Sequence, residues 1–369
     1  MSLVLPPTDV VDAIHGPVTR VTRRIDIYEP DRETLFYSNA GIIDGSVSID
    51  ISRPERRAGA FTLDNLDGDL DPNNSGGFWY DKIIKVYRGV IYSGGDWETQ
   101  IAELTIDDFD AQRHPGTLKI TCRDYAARLL GSKVATSTTY PENHPIEEAI
   151  RDIAISGGLP IEQIDLPLTG ESLGHEYVIE QETDRWAAMN EVAQSYNYEL
   201  FFTADGMLTM REFADPYLEP AEYTFQTGPT EGNLVDYNHK ATLSRLRNHI
   251  VAVGESADQV PVFGEAVNDD PTSPTNTTRL GVRTEFYKSA FIETVAQAEE
   301  VANRKLKYSA LEQYDVSLQA IVAPYIDAGI IVGFSEGGPA DEYLLQQVNI
   351  PMLLEPMTAN AGRVINLGV

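Results

Sequence analysis

Apolar residues along this chain change their period twice. Through the first 130 residues they alternate with polar ones or gather in short β-branched runs: Arg24 to Tyr28, Ser46 to Ile51, Ala60 to Leu63, Ile83 to Val90, Ile101 to Phe109 and Thr117 to Cys122. Gly, Pro, Asn and Asp clusters part these runs, and strands at such spacing predict a sandwich or small barrel. Arg123 to Leu130 then reads as one or two helical turns closing the unit.

From Pro145 the period becomes helical. Ile146, Ala149, Ile150, Ile153 and Ala154 share one face, Pro145 suits a first turn, and Gly157-Gly158 stops the helix. Pro160 to Tyr177 is punctuated by Gly and Pro and predicts irregular chain. The most informative stretch is Asp184 to Phe213. Trp186, Met189, Val192, Ala193 and Tyr196 recur at helical spacing, so one stripe must pack against another element. Asn197 ends that helix, and the run Tyr198, Leu200, Phe201, Phe202, Thr203 has strand character. Ala204-Asp205-Gly206 supplies a tight turn, because Asp-Gly provides the positive φ a hairpin needs, and Met207 to Phe213 forms the return strand.

Strand texture returns after Ala221, in Glu222 to Gln226, Leu243 to Leu246 and Asn248 to Val253. Residues 255–280 are rich in Ser, Asp, Asn, Thr and Pro and predict a long exposed loop. Thr294 to Leu311 has Val295, Ala298, Ala302 and Leu306 on one side, with Thr294 as N-cap. Gln313 to Val322, Ile330 to Phe334, Tyr343 to Ile350 and Arg363 to Leu367 predict a second β unit. The expected organisation is mainly β: an N-terminal β-barrel-like domain over 1–130, an α+β middle domain over 131–220, and a second β-barrel-like domain over 221–369.

The chain has 369 residues and a formal charge of −29, unevenly spread. Residues 1–130 hold 14 basic and 21 acidic side chains, 131–224 hold 4 and 18, and 225–369 hold 10 and 18. An acidic field repels a phosphate backbone, which excludes tight nucleic-acid binding yet suits passage of DNA without adhesion. No run of eighteen apolar residues and no basic leader appear, so the sequence predicts a soluble chain without membrane anchor, made in a cytoplasm. Cys122 is the single cysteine, which excludes an intrachain disulfide and reads as a buried small hydrophobe.

Candidate chemistry dissolves on inspection. Gly333-Phe334-Ser335-Glu336-Gly337 matches the nucleophile-elbow spacing, but Gly337-Gly338-Pro339 predicts a turn where the elbow needs a helix. No histidine follows Ser335, the last being His249. Asp67-Gly68-Asp69-Leu70-Asp71 begins like a calcium loop, yet Pro72 and Phe78 stand where that loop needs Gly and Glu. His15, His114, His144, His175, His239 and His249 show no metal spacing. The pairs Glu147-Glu148 and Glu299-Glu300 read as solvated helix faces. No catalytic, cofactor-binding or metal-ligating residue is assigned. Two other function classes stay open: a glycan hydrolase built on two of the many carboxylates, and a receptor- or sugar-binding module using Phe78-Trp79-Tyr80 or the 255–280 loop.

The helix-then-hairpin of Asp184 to Phe213 resembles the junction inside bacteriophage tail-hub proteins, whose relatives form the base of type VI secretion spikes. Thr294 to Leu311, followed by Tyr314 to Ile321 and by Ala323 to Val332, is similar to the family's last helix, strand and hairpin. Ile326 and Ala328 stand in for its usual leucine and proline there, and the acidic residue after the glycine is missing. The β-rich start through Arg123-Asp124-Tyr125 resembles the N-terminal unit of hub or minor tail proteins. The resemblance implies a homotrimeric ring that adapts a sixfold tail tube or distal tail ring to a threefold tip, located at the tail tip or baseplate of a virion and assembled in the host cytoplasm. It implies as partners a distal tail or tail tube protein, a tape measure protein and a tail-tip spike or fibre protein, with DNA passing through an acidic lumen unbound. It implies no enzymatic activity and no cofactor.

Overall fold

The computed structural model describes residues 3, 5–16, 20–39, 41–72, 77–114, 116–213, 215–228, 232–244, 246–254, 261–311 and 314–364. After a short helix, α1 (Thr8–His15), the first part of the chain lays down β1 (Arg20–Tyr28), β2 (Leu35–Asn39), β3 (Ile42–Asp50), β4 (Arg57–Asp64), β5 (Ile83–Tyr92), β6 (Gly95–Gln112) and β7 (Thr117–Arg123). The middle holds α2 (Ala126–Leu129), β8 (Thr138–Tyr140), α3 (Ile146–Ser156), β9 (Tyr177–Ile179), α4 (Arg185–Ser195) and the hairpin β10 (Tyr198–Phe202) and β11 (Leu208–Glu212). The last part runs β12 (Tyr223–Gln226), β13 (Leu234–Ala241), β14 (His249–Gly254), β15 (Val262–Val267), α5 (Thr277–Leu280), β16 (Thr284–Ser289), α6 (Val295–Leu311), β17 (Tyr314–Ala320), β18 (Ile331–Ser335), β19 (Asp341–Pro351) and β20 (Met357–Arg363).

Strands from the two ends of the sequence join in one sheet of thirteen, in the order β13-β17-β20-β19-β3-β4-β7-β6-β5-β1-β2, with β18 on β19 and β12 on β18. The seam is β3 against β19, where Val47 faces Ile350 and Ile49 faces Val348. All four side chains are buried in the largest core, which gathers residues from Ile25 through Ala361. Alternation explains the seam: a strand that buries every second residue can extend a neighbouring sheet without changing face. A second core lies between α3, α4 and the hairpin. A third packs α6 on the three-stranded sheet β15-β14-β16 through Ala298, Ala302 and Leu306 against Ile250 and Ala252.

Two expectations fail locally. Leu243 and Ser244 lie in a turn rather than a strand, with Leu246 N–H donating to the Leu243 carbonyl, and the strand lies earlier, in β13. Of the expected strand Arg363 to Leu367, Arg363 ends β20, which buries Met357, Ala359 and Ala361, and 365–369 lie outside the described residues. The predicted loop 255–280 carries β15 and α5 over its described part, 261–280. Its core is polar: Asn268 Nδ2 donates to Ser273 Oγ (2.9 Å) and Thr275 Oγ1 (2.8 Å), and Asn248 Nδ2 to the Thr275 carbonyl (3.1 Å). Buried polar groups that satisfy one another can order a segment with few apolar residues.

Candidate assembly site

The α4 hairpin unit connects the rest of the molecule. Asp184 caps α4, its carboxylate accepting from Ala187 N–H (2.9 Å), and Asn197 ends it at φ 68°. The expected stripe is inward: Trp186, Met189, Val192 and Ala193 are buried, with Trp186 stacked on Phe202 at 6.2 Å between ring centroids. Tyr196 is half-buried and its hydroxyl donates to the Ser172 carbonyl (2.9 Å). At the C-terminal end of α4, Arg304 of α6 donates to Asn197 Oδ1 (2.9 Å) and to the Gln194 carbonyl (3.0 Å). A cation there meets the negative end of the helix dipole, so α6 clamps the middle of the chain.

Behind the hairpin lies a buried charge network that draws on all three parts of the chain. Arg56 and Arg57, at the start of β4, are fully buried. Arg56 pairs with Glu199 of β10 (3.1 Å), donates to the Ala328 carbonyl and lies over the Phe201 ring at 4.5 Å. Arg57 pairs with Asp327 (2.5 Å) and donates to the Phe202 carbonyl (2.6 Å). Arg211 of β11 pairs with Glu199 (2.9 Å) and reaches the Gly329 carbonyl (3.2 Å). Asp327 and Gly329 fall in the Ala323 to Val332 segment singled out in the sequence. Thus one strand, one hairpin and one late loop are tied through three guanidiniums and two carboxylates. Guanidiniums suit this place because their fork satisfies several acceptors at once.

Asp327 gives this network a pH signature. Burial works to raise its carboxyl, but Arg57, Arg56 and Arg211 outweigh burial and hold it below the usual carboxylate range. A lowered folded value stabilises the protein above the unfolded carboxylate value and is lost as pH falls through the folded one. Wild-type stability should therefore fall on acidification below about pH 4. Asp327→Asn, already lacking the carboxylate, should show a smaller acid loss in urea titrations at pH 7 and pH 3. An identical acid loss in both proteins would contradict this account.

The Asp-Gly turn docks on the first β unit. Gly206 sits at φ 77°, and the carbonyls of Ala204, Asp205 and Gly206 accept from Gln100 (2.9 Å), Arg32 (2.8 Å) and Gln163 (3.1 Å). Beneath it, buried Glu103 of β6 accepts from Arg32 (2.5 Å) and the Tyr125 hydroxyl (2.8 Å), with Lys85 at 3.5 Å.

Elsewhere the singled-out residues take structural parts. Ser335 Oγ donates to the Gly338 carbonyl (2.7 Å) and accepts from Gly337 N–H (3.2 Å), which makes it the cap of a hairpin turn. Cys122 is buried in the main core, and burial pushes its thiol up. Asn65 Oδ1 accepts from Leu70 N–H (3.0 Å), which folds the Asp67 to Asp71 stretch back as a polar turn. Among the described residues no three His, Cys, Asp or Glu side chains gather as a metal site. His175, His239 and His249 each lie beside one glutamate: Glu293 (2.5 Å), Glu336 (3.3 Å) and Glu265 (2.9 Å). Glu299 and Glu300 are exposed, as expected. Glu147 departs from expectation: it is buried and accepts from Thr169 Oγ1 (2.9 Å), because the chain after Pro167 folds over the first turn of α3. Trp79 and Tyr80 are exposed and cluster on Phe109 at 5.9 and 4.9 Å between centroids. No helix among the described residues is long and apolar enough to cross a membrane.

This arrangement is that of a molecule whose buried polar chemistry fastens segments together. No family model and no curated relative matches the sequence. Solved structures match it along nearly its whole length. A tail protein from Neisseria meningitidis MC58 superposes with a TM-score of 0.66 at 15% identity, over 94% of this chain and 98% of that one. The 43 kDa tail protein of prophage MuSo2 from Shewanella oneidensis gives 0.64 at 11% identity, over 92% and 98%. A chain of the half-lidded Francisella PdpA–VgrG complex gives 0.53 at 11%, covering 97% of this chain and 60% of its own. The chain therefore has the fold shared by these tail proteins and the chain of the PdpA–VgrG complex, the tail-hub fold, mainly β with an α+β middle.

Proposed function

We propose that this protein is a structural component of a virion tail, the hub that joins tail tube to tail tip. The observation that carries the reading is the end-to-end match with two tail proteins, each covered over 98% of its length. A shared fold alone does not define function, but a chain whose buried ions knit its segments is suited to a mechanical part. In this reading three copies form a ring presenting six similar β units to the sixfold tube and a threefold face to the tip. Its neighbours are a distal tail or tube protein, a tape measure protein and a spike or fibre protein. The acidic middle third, with 4 basic and 18 acidic residues over 131–224, lines a lumen that DNA traverses by repulsion.

The test is genetic. Particles made without this protein should lack completed tails, and an epitope tag on it should decorate the distal tail end in electron micrographs. In tails assembled with exposed middle-third carboxylates changed to amides, DNA ejection should slow. Normal tails without the protein would end the hub reading, whereas unchanged ejection would assign the charge to solubility.

A further inference from the structure

The hairpin whose turn docks on the first β unit leaves one edge open. Thr203 N–H donates to the Met207 carbonyl (2.9 Å) and Phe213 N–H to the Asn197 carbonyl (3.1 Å), so the ladder bonds of this antiparallel pair fall on the odd-numbered residues. The backbone N–H and C=O groups of Leu208, Met210 and Glu212 therefore point away from β10. The Leu208 carbonyl finds a partner there, accepting from Asp165 N–H (2.9 Å), where Ile164 and Leu208 form a single parallel bridge. The bridge goes no further, because the chain soon reaches Pro167, which has no N–H to continue a ladder. Among the described residues no hydrogen bond reaches the outward backbone groups of Met210 or Glu212.

Beside this length of edge runs a groove of about 800 Å³, lined by Thr209 to Glu212 of β11, by Pro167 and Leu168, and by Glu219 and Glu222. Leu168 is 87% exposed. Four carboxylates line the groove, those of Asp165, Glu212, Glu219 and Glu222. Among the described residues none of them pairs with a cationic side chain, and Glu222 accepts from Leu3 N–H. Arg211, the cation in the lining, is spent on Glu199 and the Gly329 carbonyl.

An open strand edge selects an extended backbone, and unpaired carboxylates select cations. We infer that the β11 groove binds a basic, extended segment of a partner protein by strand addition. The segment's backbone gives Met210 and Glu212 their missing partners, its Lys or Arg side chains meet the carboxylates, and an apolar residue covers Leu168. A second copy of this chain does not supply such a segment. Its basic runs, Arg20 to Arg24, Arg53 to Arg57 and Arg304 to Lys307, are built into β1, the turn into β4, and α6. The same carboxylates turn a phosphate backbone away. The groove is complete in a single copy and needs no ring.

Synthetic peptides and the full chain test this. The probes are an acetylated peptide of Lys-Val repeats, its Glu-Val counterpart, and the Lys-Val peptide N-methylated at alternate residues. Fluorescence anisotropy should show the Lys-Val peptide bound and the Glu-Val peptide free. N-methylation leaves the charge unchanged but removes backbone donors, and should weaken binding at least about tenfold. Glu212→Lys combined with Glu219→Lys, both at exposed positions, should weaken it at least about tenfold as well. Hydrogen exchange at the Met210 and Glu212 amides should slow when the Lys-Val peptide is added. Equal binding of the N-methylated peptide overturns strand addition, and equal binding to the double variant overturns the groove as the site. A Lys-Val peptide that does not bind overturns both.

Discussion

Arg57→Ala should destabilise the protein by about 2–5 kcal/mol, because it empties a fully buried site and takes away the donor of the Phe202 carbonyl. The loss exceeds that of one contact because Arg57 serves two parts of the molecule: it pairs with Asp327 at 2.5 Å and donates to the Phe202 carbonyl at 2.6 Å. Without it Asp327 keeps Arg56 at 4.0 Å and the field of Arg211, and the hairpin keeps Arg56–Glu199 but loses the donor to its Phe202 carbonyl. Asp327→Asn should cost less, because its side chain is 39% exposed and water can replace part of the pairing. Since the tie crosses from the first part of the chain to the last, the effect should be local before it is global. Limited proteolysis of Arg57→Ala should open new cleavage in the 323–330 segment under conditions where wild type is resistant. A denaturation midpoint equal to wild type would show that the network contributes nothing net, as buried ion pairs sometimes do when both partners are exchanged together.

The sequence made some of this legible and hid the rest for physical reasons. Trp186, Met189, Val192 and Ala193 announced α4 because an apolar stripe survives any tertiary context, and Asp205-Gly206 announced the hairpin because few residues tolerate its backbone. Thr294 announced the start of α6, where its hydroxyl accepts from Gln297 N–H at 3.2 Å. β13 was missed because six of its eight residues are exposed, so the alternation that marks a half-buried strand is absent. The order in 261–280 was missed because it comes from amides and hydroxyls of Asn248, Asn268, Ser273 and Thr275, in a composition typical of loops. The charge network was beyond reach: Arg57 and Asp327 are 270 residues apart, and no local pattern marks a pair formed only when β4 meets the late loop. One signal was present, two adjacent arginines opening a strand in an acidic chain, which standard patterning assigns to the surface.

Gly206→Ala isolates the close approach between hairpin and first β unit from the backbone requirement of the turn itself. Gly206 and Gly158 both hold positive φ, 77° and 93°. A methyl on Gly158 meets nothing within 4 Å, so Gly158→Ala should cost only the left-handed backbone penalty, about 1–2 kcal/mol. A methyl on Gly206 would lie 2.8 Å from Glu103 Oε1 and 2.9 Å from Tyr125 Cε2. Neither neighbour can yield cheaply: Glu103 is buried between Arg32, Lys85 and Tyr125, and Tyr125 packs against Phe202 at 5.7 Å. Overpacking of this kind adds about 1–3 kcal/mol, for a total of about 2–5 kcal/mol. The two variants measured side by side in urea should differ by that added amount. If Gly206→Ala costs no more than Gly158→Ala, the turn is not seated on Glu103 and the hairpin is free to move relative to the first β unit. A larger cost for Gly206→Ala makes the Asp-Gly turn a docking element as well as a reversal of chain.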